Sequence, residues 1–288
     1  MKLIMDSLRF VDILGIEEGL KVIAEAGFDG VDVSLFPYGE TAERHFLYRD
    51  DYMDAAGRFK DCLERFGLSH EQSHAPFTFR YGMPEDESCS EYRIMIRAME
   101  TAAYLGCRHI VVHGLTLPAG TTPEENVDWN TAFYERIGAR AALYGIKVAV
   151  ENISGSCTTP EMHAEVMRRL DPERFVCLVD VGHALCRAGL QPGEYLRKMP
   201  RGLVKGLHVH DTIRTADLHH LPYLDEIDFA DLMKALAETG YEGDLTFEVQ
   251  KFCKPYIEQG LAKPCLDLCL AVGKKLLAEY EAAKAQNA

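Results

Sequence analysis

The chain lacks the features that would place it in several large classes. No run approaches the roughly 18 apolar residues of a membrane-spanning helix, so no membrane association is expected. The nine cysteines are odd in number and scattered, with no C-x-x-C pair, which reads as reduced thiols in a cytosol rather than a disulfide framework. The N-terminal Met-Lys-Leu-Ile-Met-Asp meets an acid at once, without the apolar core of a signal peptide, so a cytoplasmic location is expected. No Lys/Arg cluster offsets a formal net charge of −14, and a phosphate backbone is bound by such clusters. Nucleic acid is therefore not an expected partner. No glycine-rich phosphate loop follows the first apolar run, where a dinucleotide-binding sheet needs one. Neither a linker nor a low-complexity segment interrupts the 288 residues, so one domain over 1–288 is expected.

What the chain does have is a repeated helix-stop. Helical patterns end at Gly27, Gly67, Gly106, Gly145 and Gly240, and a strand-like run begins within about four residues of each. Glycine takes the left-handed conformation at a helix C-terminus without steric cost. Five such stops before strands imply a parallel βα array. Strands are expected near 2–7, 30–35, 68–74, 108–113, 146–151, 175–180, 203–209 and 244–249. Helices are expected near 16–26, 50–66, 89–105, 124–144, 160–170, 192–198, 228–239 and 258–284. Eight alternating units predict an α/β fold, a single (β/α)8 TIM barrel. Two long loops, 75–88 and 210–227, would then lie at the barrel mouth, where active sites are built.

Four apolar runs end on metal-competent side chains: Glu151, Asp180, His208 and Glu248. They are 29, 28 and 40 residues apart, room each time for a loop, a helix and a return to a strand. A barrel would bring all four to one face. Three carboxylates and one imidazole favour Mn²⁺ or Mg²⁺, with Co²⁺ or Zn²⁺ able to compete. His183 would face the same pocket from the turn after Asp180. His74 and His113 end the third and fourth strands, where they could bind substrate hydroxyls or a further metal. Asp217 and His219 have ligand-like spacing and are candidates for an additional metal. In the same segment, Asp211 would fix the loop or an imidazole, and Arg214 is a candidate donor to substrate oxygens. Cys157 and Cys186 have no adjacent base and read as packing thiols. Trp129 reads as core or interface, and Arg9 and Phe36 as weaker substrate contacts.

These segments resemble the xylose-isomerase-like TIM-barrel superfamily, the sugar phosphate isomerase/epimerase group that includes ketose 3-epimerases and endonuclease IV. The resemblance rests on Val150-Glu151-Asn152, Val179-Asp180-Val181-Gly182-His183-Ala184, Leu207-His208-Val209-His210-Asp211, Asp217-Leu218-His219 with Ile227-Asp228-Phe229, and Phe247-Glu248-Val249. From the ketose 3-epimerase branch it implies one Mn²⁺ or Co²⁺ on Glu151, Asp180, His208 and Glu248. The two glutamates would serve as acid and base, and His183 and Arg214 would hold substrate oxygens. Cys157 departs from that branch, which carries a substrate-binding glutamate there. The endonuclease IV branch implies up to three zinc ions on His74, His113, Glu151, Asp180, His183, His208, Asp217, His219 and Glu248.

The expectation is a divalent-metal-dependent isomerase or epimerase acting on a sugar or small keto-polyol through a metal-stabilised enediolate, with self-association left open. Alternatives are a dehydratase or C-glycoside lyase subunit using the same centre, a zinc phosphodiesterase that the acidic charge disfavours, and a non-catalytic sugar-binding barrel.

Overall fold

The computed structural model describes residues 1–36, 45–76, 79–86, 88–153 and 157–286. Eight parallel strands close a barrel: β1 (Leu3–Asp6), β2 (Gly30–Ser34), β3 (Gln72–His74), β4 (His109–Val112), β5 (Lys147–Glu151), β6 (Phe175–Asp180), β7 (Val204–Val209) and β10 (Leu245–Phe247). β10 pairs with both β1 and β7, which completes the ring. A two-stranded antiparallel flap, β8 (Asp211–Ile213) and β9 (Ala216–His220), stands between β7 and β10 in sequence. The helices are α1 (Leu8–Leu14), α2 (Ile16–Ala26), α3 (Tyr52–Phe66), α4 (Ser90–Leu105), α5 (Pro123–Ala142), α6 (Pro160–Arg169), α7 (Val181–Cys186), α8 (Pro192–Lys198), α9 (Phe229–Thr239), α10 (Gln250–Glu258) and α11 (Ala262–Gln286).

The glycine stops behave as the sequence predicts. Gly27, Gly67, Gly106, Gly145 and Gly240 all have φ between 66° and 101°, a backbone region that costs residues with a Cβ. The start of α5 is set by a capping box, in which Thr122 accepts from the Glu125 amide while the Glu125 carboxylate accepts from the Thr122 amide.

Three short helices and the flap depart from expectation. α1 and α7 have seven and six residues, too few for a helical period to show. α7 is started by Asp180, whose Oδ1 accepts the His183 amide at 2.7 Å. The helix expected over 258–284 is α11, and an additional helix, α10, precedes it with Pro255 inside. The loop expected over 210–227 contains the flap, whose strands of three and five residues are mostly polar and so carry no apolar alternation.

Alternation along the strands sorts side chains into two cores. Val112, Val148, Val150, Val179, Leu207, Val209, Leu245 and Phe247 face outward and pack under the helices. Val111, Ala149 and Leu178 form a separate small cluster inside the barrel. One step further along the same inner positions stand His113, Glu151 and Asp180. The apolar plug therefore ends where the polar mouth begins.

His163 of α6 is fully buried behind β5, where its Nε2–H donates to the Val150 carbonyl at 3.0 Å and its Nδ1 lies 3.3 Å from the Tyr195 hydroxyl. Burial pushes this imidazole down from 6.5 to about 4. Between pH 6.5 and 4 the unfolded chain therefore binds a proton that the folded chain does not. Stability should fall as pH drops through that window, by about 1.4 kcal/mol per pH unit for one such group. In urea melts at pH 7 and pH 5, His163→Gln should reduce the acid loss. An unchanged difference between the two pH values would refute this origin.

Candidate metal centre

The inner-face rule brings the expected residues together. His74 ends β3, Glu151 ends β5, Asp180 ends β6, His208 lies in β7, and His113 and Glu248 directly follow β4 and β10. Strand pairing puts Asp180 opposite His208, and His208 opposite Thr246. Glu151, Asp180 and His208 are at most 1% exposed, which a charged group tolerates only when paired or coordinating.

Glu151 is the hub. Its Oε1 lies 3.2 Å from His208 Nδ1 and 3.4 Å from His183 Nδ1. Its Oε2 lies 3.0 Å from His113 Nε2 and 3.8 Å from His74 Nε2. His208 Nδ1 is also 3.9 Å from Asp180 Oδ2 and 3.6 Å from Glu248 Oε2. The four strand-end residues thus converge on one point, as expected. A second set sits beside them on the flap. His219 Nε2 is 3.3 Å from Asp217 Oδ1, His183 Nε2 is 3.5 Å from Asp217 Oδ2, and His210 Nε2 is 3.9 Å from Asp217 Oδ1. Among the groups of described residues that could each hold an ion are His74, His208 and Glu248; His74, His113 and Glu151; Glu151, Asp180 and His183; and His210, Asp217 and His219.

Electrostatics support that fit. Burial alone would raise the Glu151 carboxyl, yet the imidazoles of His113, His183, His208 and His74 hold it well below the usual range. Burial likewise works against Asp180 and Asp217, and neighbouring histidines hold both low. Glu248 goes the other way: burial, with Asp180 and Glu151 nearby, pushes it well above the usual range against the pull of His208. Burial would make His183 and His208 less basic, but the surrounding carboxylates raise both. Glu151 Oε2, His183 Nδ1 and Asp217 Oδ1 are buried with only ion-pair approaches, at 3.0, 3.4 and 3.3 Å, and no aligned hydrogen bond among the described residues. Carboxylate and imidazole atoms with unmet valence around one point form a donor set that suits a divalent cation.

Above the ligands is a cavity of about 130 Å³. Ser34, Phe36 and Gln250 line it together with His74, His113, Glu151, His183, Asp217, His219 and Glu248. Phe36, a weak candidate in the sequence, stands edge-on to His74 with ring centres 6.0 Å apart. Gln250 Oε1 is buried and has no hydrogen-bond partner among the described residues.

Other expected contacts lie elsewhere. Arg214 does not line the cavity. The flap turn carries it outward, and its guanidinium donates to the Gly189 carbonyl at 2.6 Å. Arg187 is the arginine near the centre, 3.7 Å from Asp217 Oδ2. Arg9 pairs with Asp12 at 3.1 Å. Trp129 is half-buried and stacks on Tyr81 of the 75–88 loop, while Glu85 of that loop binds Arg136. These contacts tie residues 79–86 to α5; positions 77, 78 and 87 lie outside the described residues. Cys157 is buried and Cys186 half-buried, and neither lines the cavity. Asp211 fixes the loop as expected, accepting the amides of Thr212, Asp225 and Ile227.

Sequence reasoning missed the support behind His208. Gln72 Nε2 donates to Asp32 Oδ2 at 2.6 Å, and both stand near His208 Nε2, at 3.0 and 3.4 Å. This contact orients the ring so that Nδ1 faces Glu151. An acid between Val31 and Val33 in an apolar strand was the available signal.

Comparison with known proteins agrees with this architecture. The xylose isomerase-like TIM barrel family matches residues 20–269. The uncharacterized protein MJ1311 of Methanocaldococcus jannaschii is 28% identical over 186 residues, 61% of this chain and only 62% of that relative's length. A D-tagatose 3-epimerase-like protein superposes with TM-score 0.70 at 23% identity, covering 94% of this chain and 99% of that one. The IolI protein, solved with a bound zinc atom, superposes with TM-score 0.74 at 17% identity, covering 97% and 99%. With the family match spanning most of its length, the chain belongs to the xylose isomerase-like TIM-barrel family.

Proposed function

We propose that the chain is a divalent-metal-dependent isomerase or epimerase of a small sugar or keto-polyol. The observation that carries this reading is that Glu151 and Glu248 border one small cavity and meet through the same His208 nitrogen, at 3.2 and 3.6 Å. Drug-sized ligands occupy roughly 300–1,000 Å³, so a cavity of about 130 Å³ suits a smaller molecule. Glu151, Asp180, His208 and Glu248 would hold the ion. When bound, it would supply positive charge for adjacent carbonyl and hydroxyl oxygens of the substrate.

The chain's own groups do the rest. One glutamate takes a proton from carbon and the other returns one, and their opposite environments suit that division. Gln250 and Ser34 offer hydrogen bonds to hydroxyls, and Phe36 forms an apolar wall that limits water. The many imidazoles make Zn²⁺ as good a fit as Mn²⁺. Zinc in the similarly folded IolI protein is consistent with that.

A second reading has a specific observation behind it. The groups of His74, His113 and Glu151 and of His210, Asp217 and His219 would allow up to three ions, as a zinc phosphodiesterase would need. The net charge of −14 weighs against a nucleic-acid substrate.

Two measurements test the proposal. The metal-loaded protein, incubated with a panel of ketoses in deuterated water, should incorporate deuterium at one carbon and should stop after chelation. Elemental analysis should give about one tightly held ion per chain. Three ions with abasic-site cleavage and no deuterium uptake would replace the proposal with the second reading.

A further inference from the structure

A second cluster of metal-competent side chains lies outside the barrel mouth. Cys253 of α10 and Cys265 and Cys269 of α11 are each at most 2% exposed, and their sulfurs all lie within 4.8 Å of one another. Cys253 Sγ is 3.6 Å from Cys265 Sγ and 4.0 Å from Cys269 Sγ. Cys265 and Cys269 are one helical turn apart, so they present their thiols on the same face of α11.

The spacing is informative. Metal–thiolate bonds near 2.3 Å, arranged three to a plane, separate their sulfurs by about 4.0 Å. A disulfide needs about 2.05 Å. The two measured separations lie close to the first figure and far from the second. Cys265 also stands in the first turn of α11, where unpaired backbone amides favour a thiolate. Three soft donors with no oxygen or nitrogen donor in the group match a soft ion of low coordination number.

We propose that Cys253, Cys265 and Cys269 form a preformed three-sulfur site for a thiophilic metal ion, with Cu(I) as the ion of matching softness and coordination. Each sulfur that binds as thiolate releases its proton to solvent, and no electron is transferred. The ion would join α10 to α11, the two helices that follow β10 in sequence. This site is independent of the hard-donor centre and of the reaction assigned to it.

The test is titration of the reduced full-length protein under nitrogen against a coloured Cu(I) chelate. The wild type should withdraw one equivalent. X-ray absorption at the copper edge should show a single shell of three sulfurs. Cys265→Ser and Cys269→Ala should each weaken that equivalent at least 100-fold. Cys107→Ser, which leaves the triad intact, should keep it, and circular dichroism on each variant checks the fold. Two results would overturn the site: wild type holding copper no more tightly than Cys265→Ser, or an absorption spectrum dominated by nitrogen or oxygen neighbours.

Discussion

Glu248→Gln should leave a folded protein that has lost solvent deuterium exchange by about 10²–10⁴-fold, the usual worth of a positioned acid or base. The substitution keeps shape but removes a negative charge, and with it both the ability to carry a proton and one carboxylate donor to the ion, so metal content is measured beside exchange. The position is fixed by its backbone: the Glu248 amide donates to the Val209 carbonyl at 3.1 Å, and its own carbonyl accepts from His219 Nδ1 at 3.0 Å. Neither bond uses the carboxyl group. Retained secondary structure with lost exchange would separate chemistry from folding. Exchange at the wild-type rate would remove Glu248 from the reaction and the proposed mechanism with it.

Gly182→Ala is expected to damage the centre without replacing any candidate ligand. A Cβ at position 182 would lie 2.0 Å from His210 Cε1 and 2.4 Å from its Nε2. The ring cannot retreat. It is fully buried, 3.0 Å from Asp180 Oδ1, and stacked on His219 with centres 4.1 Å apart. Relief must come from moving α7, which begins at Asp180 and carries His183. Overpacking of this kind costs roughly 1–3 kcal/mol, and disturbing the residues behind metal ligands typically costs about 10–100-fold in affinity. Thermal melts and metal content would both report the change. Gly57→Ala in α3 is the matching control, because its nearest new contact would be Tyr104 Oη at 3.9 Å. A helix there should gain about 0.5–1 kcal/mol from the loss of glycine. Equal behaviour of the two variants would refute the packing argument.

The contrast between Glu151 and Gly182 marks what the sequence conveys. Glu151, Asp180, His208 and Glu248 are legible because each closes an apolar run whose alternation fixes which way the last side chain points. That rule is local, and repetition of the βα unit does the rest. Gly182 is opaque because its reason is the ring of His210, which stands between β7 and β8. Asp32 is opaque for the same cause: its partners Gln72 and His208 are brought to it only by closure of the barrel. Arg214 shows the opposite error. Its nearness in sequence to His208 suggested nearness to substrate, but the flap turn points it at Gly189. α7 starts on an aspartate, a residue that caps helices, and the same Asp180 carboxylate is both that cap and a candidate ligand.

Asp217 and His219 reach the centre on β9, a strand that takes no part in closing the barrel. The barrel strands that carry the other donors cannot gain or lose a residue, because a one-residue slip would turn a whole strand inside out. The flap is different. It is a short cassette hung between β7 and α9, anchored by the amides that Asp211 accepts. Shortening it would remove one group of donors and leave all eight staves of the barrel in register. The donor set at the mouth can therefore be altered by exchange of a single appendage while the barrel stays as it is.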